Sequence, residues 1–169
     1  IQRFVRIFEV TQDEIVDLLV NDIMYSLGGL SYSGTMHMQD EYPGDVDEVM
    51  TMARSLIRME ASRNLSAADT LKKVNKVIAR DIRRGMFVTA LYMVVNMKKK
   101  TLLVASAGHN PMVLYRAKSK KNELVNPNGI ALGFDKGPIF DRTIREEEIQ
   151  LEKGDRTVIY TDGIPESMN

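Results

Sequence analysis

Hydrophobic and polar positions alternate at the start of the chain in the manner of paired strands. Phe4-Val5-Arg6-Ile7-Phe8-Glu9-Val10 and Ile15-Val16-Asp17-Leu18-Leu19-Val20, joined by the polar Thr11-Gln12-Asp13-Glu14, predict a β-hairpin. The second run is apolar on both faces, which suits a central strand. It passes through Asn21-Asp22 into a glycine-bearing stretch from Gly28-Gly29 to Gly34. Tyr42-Pro43-Gly44 predicts a turn and Asp45 the cap of a helix. Val46, Val49, Met50, Ala53, Leu56 and Ile57 then recur at the spacing of one buried helical face. A second helix carries Ser66-Ala67-Ala68-Asp69 as a capping box and Leu71, Val74, Val77, Ile78 and Ile82 as its apolar stripe. Gly85 is its stop.

From Met86 onward the pattern is that of strands. Residues 87–96 and 101–107 flank Met97-Lys98-Lys99-Lys100, and residues 112–116 follow Gly108-His109-Asn110-Pro111. Shorter runs at 123–125, 130–134, 139–144 and 148–151 are read as strands too, before a last one at 157–160 that ends in Thr161-Asp162-Gly163. Strands on short connections pair antiparallel. A hairpin, two helices and a strand meander predict an α+β fold, with helices segregated on a face of one sheet or two stacked sheets.

Composition narrows the function classes. The 169 residues suit one domain spanning 1–169, with 44% hydrophobic and 27% charged residues. Lys+Arg and Asp+Glu number 23 each and cancel, which argues against nucleic acid or an anionic membrane as the main partner. The lysines at 98–100 and 118–121 fall at strand turns, as solvated hairpin tips. No apolar run reaches the roughly 18–20 residues of a membrane span, and the amino terminus lacks a signal layout. Cysteine is absent, so disulfides, thiolate zinc sites and cysteine nucleophiles are excluded, and a cytoplasmic location is expected. There is no phosphate-binding P-loop pattern, and Gly29-Leu30-Ser31-Tyr32-Ser33 departs from the G-x-S-x-G nucleophile elbow at Ser33.

Two aspartates remain, placed alike. Asp22 and Asp162 each follow an apolar strand, where carboxylates converging on a sheet end could hold a hard divalent cation such as Mg²⁺ or Mn²⁺. The same residues would equally open turns, because aspartate accepts local backbone N–H bonds.

Several segments, in order, resemble one family. These are Phe87-Val88-Thr89-Ala90-Leu91-Tyr92, Ala105-Ser106-Ala107-Gly108-His109-Asn110-Pro111, Leu132-Gly133, Leu151-Glu152-Lys153-Gly154-Asp155-Arg156 and Tyr160-Thr161-Asp162-Gly163-Ile164-Pro165-Glu166. With the helix from Leu65 to Asn75 they are similar to the SpoIIE/RsbU-type phosphatases, the bacterial branch of the metal-dependent PPM (protein phosphatase 2C-like) serine/threonine phosphatases. The resemblance, from about Arg54 to Asn169, implies an antiparallel β-sandwich flanked by helices (αββα) and a binuclear Mn²⁺ or Mg²⁺ centre. It implies Asp22, Asp162 and Gly163 as metal ligands, with Arg3 at the active-site rim and His109 either there or at a strand end, satisfying backbone groups. The implied substrate is a phosphoserine or phosphothreonine protein of the anti-sigma-factor-antagonist kind, with a homodimer left open.

The chain departs from the family pattern at three places. Gln2-Arg3-Phe4 stands where the family has Gly-Asp-aromatic, which puts Arg3 at an aspartate position. Asn21-Asp22-Ile23 matches Gly-Asp-Val, but Met24-Tyr25-Ser26-Leu27 replaces Ser-Gly-x-Gly, and residues 28–47 read as a remodelled or inserted segment. Gly44-Asp45-Val46 also spells the motif, without a strand before it. The family's last strand bears an Asp-Asp pair, and the expectation here is a domain truncated before it, ending at Asn169. Two functions are consistent with these residues: a metal-dependent phosphoprotein phosphatase, or a catalytically impaired domain of that fold that binds a regulatory partner.

Overall fold

A computed structural model describes residues 5–9, 43–63, 66–83, 85–96 and 98–160. The elements in chain order are β1 (Val5–Glu9), α1 (Pro43–Ala61), α2 (Ala67–Asp81), β2 (Ala90–Asn96), β3 (Thr101–Ala107), β4 (Met112–Arg116) and β5 (Lys121–Val125). After these come α3 (Pro138–Thr143), β6 (Glu146–Gln150) and β7 (Arg156–Tyr160). The strands form two antiparallel sheets, ordered β1-β7-β4-β5 and β2-β3-β6. The partner expected for β1 in an opening hairpin, residues 15–20, lies outside the described residues; among the described strands β1 pairs with β7.

Alternation along β2 and β3 divides the interior into two layers. Ala90, Tyr92, Ala105 and Ala107 face a core shared with Ala53 and Ile57 of α1 and Leu71, Val74 and Ile78 of α2. Leu91, Leu102 and Val104 point the other way, into a core with Met112, Leu114, Val125, Ile149 and Ile159 between the sheets. The small alanines let the helices approach the sheet, and each large aliphatic side chain fully withdrawn from water contributes about 1.5–3 kcal/mol. The α+β sandwich is therefore as expected, with α1 and α2 forming a helical layer over β2-β3-β6.

Helix α1 begins at Pro43, two residues before the expected cap Asp45, because proline is well suited to a first helical turn. In α2 the cap is Ser66, whose Oγ accepts the Asp69 N–H at 3.1 Å. The reciprocal half of the capping box does not form. Asp69 pairs with Lys72 at 3.1 Å, and Glu146 of β6 supplies the carboxylate instead. Its Oε2 accepts from Ser66 Oγ at 2.8 Å and from the Ala68 N–H at 3.0 Å. Val77 is 37% exposed rather than part of the buried stripe. At about 100° per residue it lies about 120° from the line through Leu71 and Ile82. Asn75 takes an inward position, fully buried.

Two strand predictions are corrected. Residues 130–134 form a turn in which Leu132 alone bridges to Val88, through N–H to carbonyl bonds of 2.9 and 2.8 Å. Residues 139–144 belong to α3 and its C-cap, where Phe140 and Ile144, four apart, are both buried. Asp135 ends the turn and caps that helix: its Oδ1 accepts the N–H groups of Gly137, Ile139 and Phe140 at 2.9–3.0 Å. Elsewhere the strand ends shift, with β2 starting at Ala90, β5 at Lys121 and β6 at Glu146.

Candidate functional site

One end of the sandwich collects the start of β2, the end of β3, the start of β4 and the end of β7. The register pairs Ala90 with Ala107 in one sheet and Val113 with Val158 in the other. Residues 108–111 carry the chain between the sheets at this end. Gly108 makes the crossing at φ +68°, a conformation that suits glycine. A Cβ there would also sit 2.9 Å from the Ala131 backbone nitrogen. Gly129 likewise lies too close to the Ser106 carbonyl for any side chain. The crossing and the segment around Ala131 are thus packed backbone on backbone.

Within this crossing His109 is held from two sides. Its N–H donates to Ser106 Oγ at 3.2 Å, and its ring Nδ1 lies 3.5 Å from Thr89 Oγ1. Only 6% of the residue is exposed. The sequence drew attention to His109 but not to its braces, although Ser106 lies three residues before it in the same quoted segment.

At the opposite end of β7 a second polar cluster ties the sheets together. Arg116, the last residue of β4, donates from Nε to Glu123 at 3.0 Å and from Nη1 to Asp155 at 3.0 Å and the Gln150 carbonyl at 2.7 Å. Asp155 is 1% exposed and also accepts the N–H groups of Ala117 and Glu152 at 3.0 and 3.1 Å. This arrangement anchors the turn that enters β7 and so fixes where β7 leaves the sheet. Asp135, by contrast, holds its carboxyl below the usual aspartate range, through the backbone N–H of Phe140 first and then that of Gly137.

Asp22, Asp162, Gly163, Arg3 and Tyr25 lie outside the described residues. What the described backbone supplies is the pairing of Val5 with Tyr160, the register pair nearest in sequence to Arg3 and Asp162. Among the described residues no three histidine, aspartate or glutamate side chains gather as a metal site. Nor is any helix among them long and apolar enough to cross a membrane.

The sequence profile of the family described as Stage II sporulation protein E (SpoIIE) matches residues 47–169. Phosphoserine phosphatase RsbU of Bacillus subtilis is 29% identical over 117 residues, which cover 69% of this chain and 34% of the relative. The chain thus spans about a third of that relative's length. In three dimensions it is similar to a crystal structure of RsbU and RsbW domains from Mycobacterium tuberculosis, with a TM-score of 0.57 and 24% identity. That likeness covers 69% of this chain and 31% of the other, and it shows the shared fold. With a profile match over most of its length and a sandwich of the same fold, this chain belongs to the SpoIIE family of PPM-type, RsbU-like phosphatase domains.

Proposed function

We propose that the chain is a metal-dependent protein serine/threonine phosphatase domain, acting in the cytoplasm on a phosphorylated regulatory protein of the anti-sigma-factor-antagonist kind. The observation that carries this reading is the family match over residues 47–169, which includes the Tyr160-Thr161-Asp162-Gly163 segment that continues from β7. The metal ligands in this proposal are Asp22, Asp162 and Gly163, the carboxylates binding Mn²⁺ or Mg²⁺ as hard oxygen donors. The described residues do not make such a centre by themselves, so the proposal stands or falls on those three. When bound, the ions would supply an activated water and offset charge on the transferring phosphoryl group.

The chain's own contribution is positional. Ser106 and Thr89 fix His109 at the sandwich end that the β7 exit shares, and the Arg116–Asp155 cluster fixes the entry to β7. A histidine so braced would line the rim of the site rather than donate to metal.

A second reading, a partner-binding domain without catalysis, is favoured by the sequence resemblance, which puts Arg3 where the family has an aspartate. A guanidinium there works against two nearby dications. Hydrolysis of p-nitrophenyl phosphate by the chain, with and without excess Mn²⁺, separates the two. Mn²⁺-dependent turnover supports the phosphatase, and a flat trace in both supports the binding module.

A further inference from the structure

Asn75 lies on the buried side of α2 with Leu71, Val74 and Ile78, and none of it reaches solvent. An amide in such a place is stable where its donor and its acceptor are both met. Here one segment, far along the chain, meets both. Asn75 Oδ1 accepts the Gly133 N–H at 2.8 Å, and its Nδ2 donates to the Asp135 carbonyl at 2.9 Å. A leucine of similar volume would fill the space and make neither bond. What the amide adds is the placement of residues 133–135 on the helical layer.

That segment bears on the His109 crossing along two lines. Leu132, fully buried beside Gly133, exchanges N–H to carbonyl bonds of 2.9 and 2.8 Å with Val88. Thr89 follows Val88, and its Oγ1 lies 3.5 Å from His109 Nδ1. On the second line, Ala131 packs against the Gly108 backbone and Gly129 against the Ser106 carbonyl. Ser106 Oγ in turn accepts the His109 N–H at 3.2 Å. Residues 129–132 thus press on one brace of His109 and on the neighbour of the other. Val88, Ser106, His109 and Leu132 are all buried, and a close-packed interior passes a displacement on rather than absorbing it.

The turn also has little freedom to drift. Gly133 sits at φ +86°, and an added Cβ there would run into the side chain of Ile82, the C-cap residue of α2.

We propose that Asn75 is the positioning residue for the His109 crossing. From α2 it sets the turn at 131–135, and through Val88 and Gly108 that turn sets the orientation of the His109 ring. The proposal rests on the phosphatase reading above, in which His109 lines the rim, and adds which residue of the helical layer holds it there.

The chain has two histidines, His37 and His109, so the imidazole carbon–proton NMR spectrum reads the ring directly, with His37→Gln assigning His109. Asn75→Leu should move the His109 ring resonances by more than a line width. Gly133→Ala keeps the amide but drives the same turn against Ile82, and it should move them too. Should Asn75→Leu not fold, Gly133→Ala decides alone. The control is Ile149→Ala, which opens a cavity between the sheets at the far end and lowers the urea midpoint. It should leave the His109 resonances and the p-nitrophenyl phosphate kcat at wild-type values. Asn75→Leu, by contrast, should lower the Mn²⁺-dependent kcat about tenfold while KM stays within about twofold. Three results would overturn the proposal: ring resonances unmoved in both turn variants, an equal displacement in Ile149→Ala, or an unchanged kcat in Asn75→Leu. No turnover by wild type would remove the phosphatase reading instead, and the ring resonances would still decide whether Asn75 positions the crossing.

Discussion

Asp155 shows how one carboxylate can organise the start of a strand. It is 1% exposed and accepts from the Arg116 guanidinium and from two backbone N–H groups. Asp155→Ala leaves the two backbone N–H groups without their acceptor and the guanidinium with only Glu123 and the Gln150 carbonyl. A loss of about 3 kcal/mol is expected, read as a lower urea midpoint. Asp135 plays a similar part at α3 but at the surface, and there the consequence is a pH dependence. Its folded pKa is lowered, so its contribution is full above the unfolded value of about 3.9 and fades as pH falls through the folded value. Asp135→Asn should therefore be less stable than wild type at neutral pH, with the gap closing below about pH 3.9. Urea midpoints of both proteins across that range check the sign. A gap that widens in acid would contradict it. Neither aspartate stood out in the sequence for these roles: Asp155 was visible only as part of a resemblance, and Asp135 lay at the edge of a run read as a strand.

At the scale of elements, the pattern was legible where one face of an element is apolar and the other is not. The stripe of α2 and the alternation in β4 belong to this kind, and both gave elements of the expected type. Residues 139–144 misled because a six-residue helix and its C-cap bury just Phe140 and Ile144, too few to declare a period. Asn75 was missed for a related reason. An amide inside an apolar stripe looks like a polar-face residue until its two backbone partners from residues 133 and 135 are known. The cap of α2 adds a lesson about distance. Its carboxylate comes from Glu146, 80 residues from Ser66, so no local reading could supply it. Glu146→Ala should cost about 1.5 kcal/mol and fray the start of α2. Amide hydrogen exchange should show faster exchange at Ala68 than at Val74. Equal protection of Ala68 in variant and wild type would contradict this role.

For the whole molecule, two sheets and a helical layer bring Thr89, Ser106, Gly108, His109, Ala131 and the exit of β7 to one end, which no single segment encodes. The fold class could be read because the order of elements limits the layer architectures available. The sequence reading of the candidate site rests on strand-end aspartates outside the described residues; what the described residues supply is the braced His109 crossing and the β1–β7 pairing. The residues proposed as metal ligands, Asp22, Asp162 and Gly163, lie outside the described residues, and of them the family match covers Asp162 and Gly163. The most direct test is phosphate release from a phosphoserine peptide in excess Mn²⁺ by wild type and by Asp162→Asn, with Mn²⁺ binding by calorimetry on both. Turnover by wild type and a loss of at least a hundredfold in the variant, together with weaker Mn²⁺ binding, are the expected results. Equal turnover in the two proteins, or none in wild type at saturating Mn²⁺, would contradict the proposed function.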